Sequence, residues 1–186
     1  RRTGKTSGIH YLYSFREVRP VDNYYICIAI IFHMTKQGTI LIVDDNKGVL
    51  AAIDMLLSGT FKKVITISNP NRIPAMLETE NIDVVLLDMV FSSGINNGNE
   101  GIFWLGEIRK ISNDLPVVLF TAYADIELAV KTVKEGATDF VVKPWDNAKL
   151  IATLLSAYRL RQSQTEVKQL RKNEESIRAV CIRIFS

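Results

Sequence analysis

The chain has 186 residues, 47% hydrophobic and 23% charged, a globular balance that excludes a disordered polar tract and an integral membrane protein. Its two cysteines, Cys27 and Cys181, form neither a disulfide framework nor a metal-ligand spacing, which points to a reducing cytoplasm. The net charge of +3 hides a segregation: residues 39–145 carry nine Lys/Arg against fourteen Asp/Glu, and both flanks are net basic, which argues against a nucleic-acid-binding core.

In chain order, residues 1–38 read as an extension, non-native or disordered. The apolar run Tyr24 to Met34 is interrupted by His33 and falls short of the ~20 residues a bilayer needs. No small-residue cleavage site follows it. Gly4-Lys5-Thr6 matches the tail of a phosphate-binding loop, but the earlier glycine and the preceding strand are missing. His10 and His33 have no paired ligands. Met34, followed by a polar stretch, looks like a natural start.

From Thr39 a regular alternation begins. Ile40 to Val43 is a short apolar run, as in a strand buried on both faces of a parallel sheet, and it ends in Asp44-Asp45-Asn46. Val49, Leu50, Ile53, Leu56 and Leu57 recur at helical spacing, with Gly59 as a stop. Val64 to Ser68 reads as a second strand. A short helix follows over Ile73 to Glu80, with Asn71 as its cap and Pro74 in its first turn. Val84 to Leu87 makes a third strand, ending in Asp88.

A loop rich in Ser, Gly and Asn runs from Ser92 to Gly101, and a helix over about 102–110 is expected to bury Phe103, Leu105 and Ile108. Val117 to Phe120 forms a fourth strand ending in Thr121. Asp125 caps a helix through Ala129, Val130 and Val133 that closes at Gly136. Phe140 to Val142 is a fifth strand ending in Lys143-Pro144, and a last helix starts near Asp146. Five strands alternating with helices over about a hundred residues predict a three-layer α/β sandwich. Ligand sites in such sheets lie at the carboxyl ends of the strands. Asp44, Asp45, Asp88, Thr121 and Lys143 sit at four of those ends.

Three carboxylates at one sheet edge repel one another unless a cation shares the site. An all-oxygen donor set favours a hard ion such as Mg²⁺. A carboxylate beside such an ion can attack phosphorus and form an acyl phosphate. Lys143 can supply a second cation for the transferring group, and the Thr121 hydroxyl can donate to its oxygens. Singly, each residue has an ordinary reading: Asp45 as a helix cap, Thr121 as a turn residue, Lys143 as a surface charge. The five together at the correct ends are what point to phosphoryl chemistry.

Asp44-Asp45, Leu86-Leu87-Asp88, Thr121-Ala122 and Lys143-Pro144 resemble the signature of the response-regulator receiver family. The resemblance spans about 39–158, with 159–186 left as a helical linker or coiled-coil extension. It implies a flavodoxin-like five-stranded parallel sheet ordered 2-1-3-4-5. It implies Asp88 as phosphoacceptor and Mg²⁺ held by Asp45, Asp88 and the Val90 carbonyl, with Asp44 assisting. Thr121 and Lys143 would follow the phosphoryl group, and the Lys143-Pro144 bond would be cis. Phe140 matches the aromatic that turns inward on activation, although a plain core aromatic fits that position as well. The implied partner is a sensor histidine kinase or phosphotransfer protein, with no membrane contact. The implied domain is a signalling switch in the cytoplasm whose catalysis is confined to its own phosphorylation and dephosphorylation.

Two departures stand out. The segment Phe91 to Glu100 is longer and more polar than the family's usual loop, and Ser93-Gly94 stands where a Pro-Gly pair is common. Gly94 to Trp104 looks like the enhancer-binding class of transcription activators associated with nitrogen regulation. In that class DNA is contacted only through an effector domain that this chain does not contain. A receiver-like module that signals without phosphorylation is disfavoured because the acidic set is complete. A phosphatase with an aspartyl nucleophile is disfavoured because Asn46 and Lys47 stand where its second Asp would be. Beyond Tyr158, Leu160, Val167, Leu170 and Ile177 fit heptad a and d positions, but Ser163 and Glu174 interrupt them. A weak homodimeric coiled coil and a solvated linker helix are both consistent with that pattern.

Overall fold

A computed structural model describes residues 36–91, 99–122 and 133–184. The readings for 1–35, for the loop at 92–98 and for most of the helix predicted after Asp125 lie outside the described residues. The elements in order are β1 (Thr39–Val43), α1 (Lys47–Leu57), β2 (Lys63–Ile67), a 3-10 turn (Pro70–Arg72) and α2 (Ile73–Thr79). They continue with β3 (Val84–Asp88), α3 (Asn99–Ile111), β4 (Val117–Thr121), β5 (Asp139–Val142) and α4 (Asn147–Ile184). Every strand pairing is parallel, in the order β2-β1-β3-β4-β5.

The strand side chains alternate between two cores because successive residues point to opposite faces. Ile40 and Ile42 of β1 pack with Leu50, Ile53 and Leu57 of α1 and with Leu150, Leu154 and Ala157 of α4. Leu41 and Val43 pack instead with Ile73 of α2 and Leu105 and Ile108 of α3. Helices on both sides explain why β1, β3 and β4 are apolar throughout rather than alternating. This is the predicted three-layer sandwich in the predicted strand order.

Several local expectations shift. The cap before the second helix is Asn69, which accepts from the Asn71 N–H and opens the 3-10 turn, with Pro70 at its first position. Asn71 therefore lies inside the turn rather than capping a helix. The third helix begins at Asn99, three residues earlier than predicted. Phe103, expected in the core, is 57% exposed and rests edge-on against Trp104. Gly101, Leu105 and Ile108 form the buried side of α3, and Phe103 projects about 160° round the helix from Leu105.

Arg109 of α3 ties the opposite end of the sheet together. Its guanidinium donates to the carbonyls of Gly136, Leu115 and Asn113, three groups in turns that have no ladder partner there. Arg109→Met keeps the stem and removes those donors. The expected loss is about 2–3 kcal/mol in urea unfolding, the cost of stranding partly buried carbonyls. An unchanged urea midpoint would show that these bonds contribute nothing.

Candidate functional site

β1 and β3 are neighbours with Val43 in register with Leu87, so Asp44 and Asp88 leave the sheet side by side. Both are almost fully buried. Asn46 fills the cap position of α1, its side chain accepting from the Gly48 and Val49 N–H groups. Asp45 is thus not needed as the cap. One carboxylate oxygen from each of Asp44, Asp45 and Asp88 lies within 4.8 Å of the others.

Lys143 follows β5 and reaches back across β4. Its Nζ stands 2.7 Å from Asp44 Oδ2 and 3.1 Å from Asp88 Oδ2. Its backbone N–H donates to the Thr121 carbonyl at 2.6 Å, tying the ends of β4 and β5. The Lys143–Pro144 peptide is cis. Thr121 is buried at the end of β4, one residue beyond Phe120, which is in register with Asp88.

The electrostatics are unbalanced. Burial pushes the Asp88 carboxyl up from 3.8 to about 6; the Lys143 charge opposes this and the Asp44 charge reinforces it. Hydrogen bonds from Lys143 and the Val90 N–H also favour the ionised form. The Met89 N–H donates to Asp88 Oδ1 at 2.8 Å, and the Asn46 N–H to Asp44 Oδ1 at 2.8 Å. One ammonium against three acids leaves an oxygen-only pocket short of positive charge. That donor set fits a hard divalent cation such as Mg²⁺.

The structure brings Asp44, Asp45, Asp88 and Lys143 together and puts Thr121 on the adjoining strand end. Phe140 lies a strand-length back, in register with Leu119 and half-buried against the α2–α3 core. Four contributors had no sequence signal specific enough to find them. Phe120 lies under Lys143, with Nζ 4.5 Å from its ring centre, and Trp145 meets the same ring edge-on at 5.2 Å. Glu100 accepts from the Phe91 N–H at 3.1 Å, and the Gly101 N–H donates to the Met89 carbonyl at 3.2 Å. These two bonds dock the start of α3 on the backbone just past Asp88.

A doubly wound parallel sheet with an acid trio and a lysine at its carboxyl edge defines a class that the comparisons name. The model of the family described as response regulator receiver domain matches residues 40–155, and the chain belongs to that family. The DNA-binding transcriptional regulator NtrC of Salmonella typhimurium is 28% identical over 138 residues, 74% of this chain and 28% of that protein. The transcriptional regulatory protein ZraR of Klebsiella oxytoca is 32% identical over 122 residues, 66% of this chain and 26% of that protein. The chain thus spans about a quarter of the length of these curated relatives. A solved N-terminal signal receiver domain of a two-component response regulator from Bacteroides fragilis is 62% identical, with a TM-score of 0.60. That match covers 66% of this chain and 98% of the other. The chain carries a receiver domain of two-component response regulators, similar to those of NtrC-type proteins.

Proposed function

We propose that Asp88 accepts a phosphoryl group from a sensor histidine kinase or phosphotransfer protein, and that the resulting aspartyl phosphate switches an output. A carboxylate oxygen of Asp88 forms the new bond to phosphorus as the donor's phosphorus–nitrogen bond breaks, and the nitrogen keeps that electron pair. Asp45, Asp88 and the Val90 carbonyl would hold Mg²⁺, with Asp44 assisting. Mg²⁺ bound there supplies charge neutralisation for the incoming phosphoryl oxygens. Lys143 pairs with those oxygens from the side held by Phe120. Thr121 donates its hydroxyl to one of them. The observation that carries this reading is the buried Asp88 carboxylate, bridged to Asp44 by one ammonium at the open end of a parallel sheet.

The reading extends to regulation. Residues 39–158 form the receiver unit and 159–186 its helical extension. Thr121 and Phe140 couple the site to the face of β4, β5 and the helix predicted after Asp125, shifting a two-state equilibrium. The output is transcription, through an effector domain like those of the NtrC-type relatives, and the setting is the cytoplasm. Among the described residues no helix is long and apolar enough to cross a membrane.

Incubation with a small-molecule phosphodonor and Mg²⁺ tests the acceptor by intact-mass spectrometry. The wild-type chain is expected to gain one phosphoryl mass that chelation of Mg²⁺ prevents, and Asp88→Asn to gain none. An Asp88→Asn chain that still gains it removes Asp88 from the role.

A further inference from the structure

Lys143 carries its ammonium on a long flexible stem, and a lysine has many rotamers in which that charge would miss the pocket. Two carboxylates hold it here: Nζ donates to Asp44 Oδ2 at 2.7 Å and lies 3.1 Å from Asp88 Oδ2. These are the very groups whose charge the proposed reaction changes. A divalent cation shared by the acids competes with the ammonium for their oxygens. A phosphoryl group on Asp88 takes one of those oxygens into its new bond. Lys143 therefore needs a third anchor, one that stays the same throughout.

The face of Phe120 meets that requirement. Its ring centre lies 4.5 Å from Nζ, within the ~6 Å over which a ring quadrupole attracts a cation. The Lys143 side chain is only 20% exposed, and partial loss of water strengthens such an attraction. The ring has no titratable or ligating atom, so neither a metal ion nor a phosphoryl group alters it. It is also braced. Phe120 is buried in the same core as Val118, Val141 and Leu150. Trp145 meets its ring edge-on, with centres 5.2 Å apart and planes at 61°. The Trp145 Nε1–H donates in turn to Asn147 Oδ1 at 3.0 Å, which pins the indole to the start of α4. Packing alone does not ask for a ring at position 120. Val118, two residues back on the same face of β4, is aliphatic, and leucine would supply apolar volume without a π face.

We propose that Phe120, braced by Trp145, is a positioning residue that keeps the Lys143 ammonium over the site while Asp44 and Asp88 change their charge. This role presupposes that Asp88 accepts phosphate, but the contact itself can be read without any phosphodonor. In proton NMR of the full chain, the protons on the Lys143 ε-carbon should resonate upfield of the ordinary lysine position, shielded by the ring. The shift should persist with Mg²⁺ added and vanish in Phe120→Leu.

The second measurement is the rate of phosphoryl gain from acetyl phosphate and Mg²⁺, followed by intact mass. Mono-, di- and trifluorinated phenylalanine placed at position 120 withdraw charge from the ring face stepwise while nearly keeping its shape. The rate should fall in that order, by about three- to tenfold in all. Phe120→Leu should match the trifluorinated chain, and Trp145→Leu, which keeps the ring but removes its brace, should fall between. A wild-type chain that gains no phosphoryl group refutes the acceptor reading and this role with it. Where the wild type is phosphorylated, ordinary Lys143 proton positions or a rate indifferent to fluorination overturns the role of Phe120 alone.

Discussion

Asp88→Asn is expected to raise the stability of the metal-free domain at neutral pH while abolishing its capacity to accept phosphate. The folded domain holds the Asp88 carboxyl at about 6 against 3.8 for the ordinary group, chiefly because burial disfavours the charge. An acid raised on folding binds its proton more tightly in the native state. Its contribution is therefore fully present below about pH 4 and is lost as pH rises through about 6. At pH 7 the ionised carboxylate costs up to about 3 kcal/mol, and residual solvent contact reduces this to about 1–3 kcal/mol. Asparagine keeps the shape and removes the charge. Urea unfolding with a chelator present should show the variant ahead at pH 7 and the gap closed at pH 4. Added Mg²⁺ should stabilise the wild type by mass action and narrow the gap from the other side. A variant no more stable than wild type at pH 7 would mean that the pocket tolerates the charge without strain.

The second large effect concerns a residue with no chemistry of its own. A Cβ on Gly101 would lie 2.7 Å from Met89 Cα and 3.0 Å from the Asp88 carbonyl oxygen. Both are backbone atoms of the acceptor strand's end and cannot swing aside. Gly101→Ala gains about 1 kcal/mol of helix propensity. It also forces α3 off the strand, a backbone displacement that costs about 1–3 kcal/mol and breaks the Gly101-to-Met89 hydrogen bond. The clash should win, with a net loss of stability and weaker Mg²⁺ binding as the segment after Asp88 shifts. Gly106, five residues along the same helix, has nothing within 4 Å of its Cβ position. Gly106→Ala should stabilise by about 0.5–1 kcal/mol and leave Mg²⁺ binding alone. Opposite signs for one substitution on one helix can be read from paired urea titrations. A Gly101→Ala domain as stable as Gly106→Ala would show that the close approach is not maintained in solution.

What the sequence revealed and what it hid follow from how each residue works. The acid trio, Thr121 and Lys143 were legible because chemistry restricts residue type, and the apolar runs before them fixed which strand ends they occupied. Alternation predicted the layered α/β architecture, and the family resemblance implied the strand order. Phe103 was misplaced because large apolar size on a helix was taken to mean burial. Only the line from Gly101 through Leu105 to Ile108 shows which side meets the sheet, and a glycine carries no hydrophobic signal to mark that side. Phe120 was hidden for the opposite reason: a phenylalanine in a buried strand looks like core whether or not an ammonium rests on its ring. Asn69 was passed over for Asn71 because capping depends on where Pro70 lets the turn begin.

The unbroken run of α4 has a mechanical consequence. Leu150 and Leu154 seat its base in the same core as Phe120, whose ring lies under Lys143, and Val141, its register partner on β5. At 1.5 Å per residue, its 38 residues form a rod about 57 Å long. A tilt of only about 5° at the seated end carries the far tip through roughly 5 Å. A displacement too small to disturb the packing around the base is thereby magnified into one that a neighbour at the tip can feel.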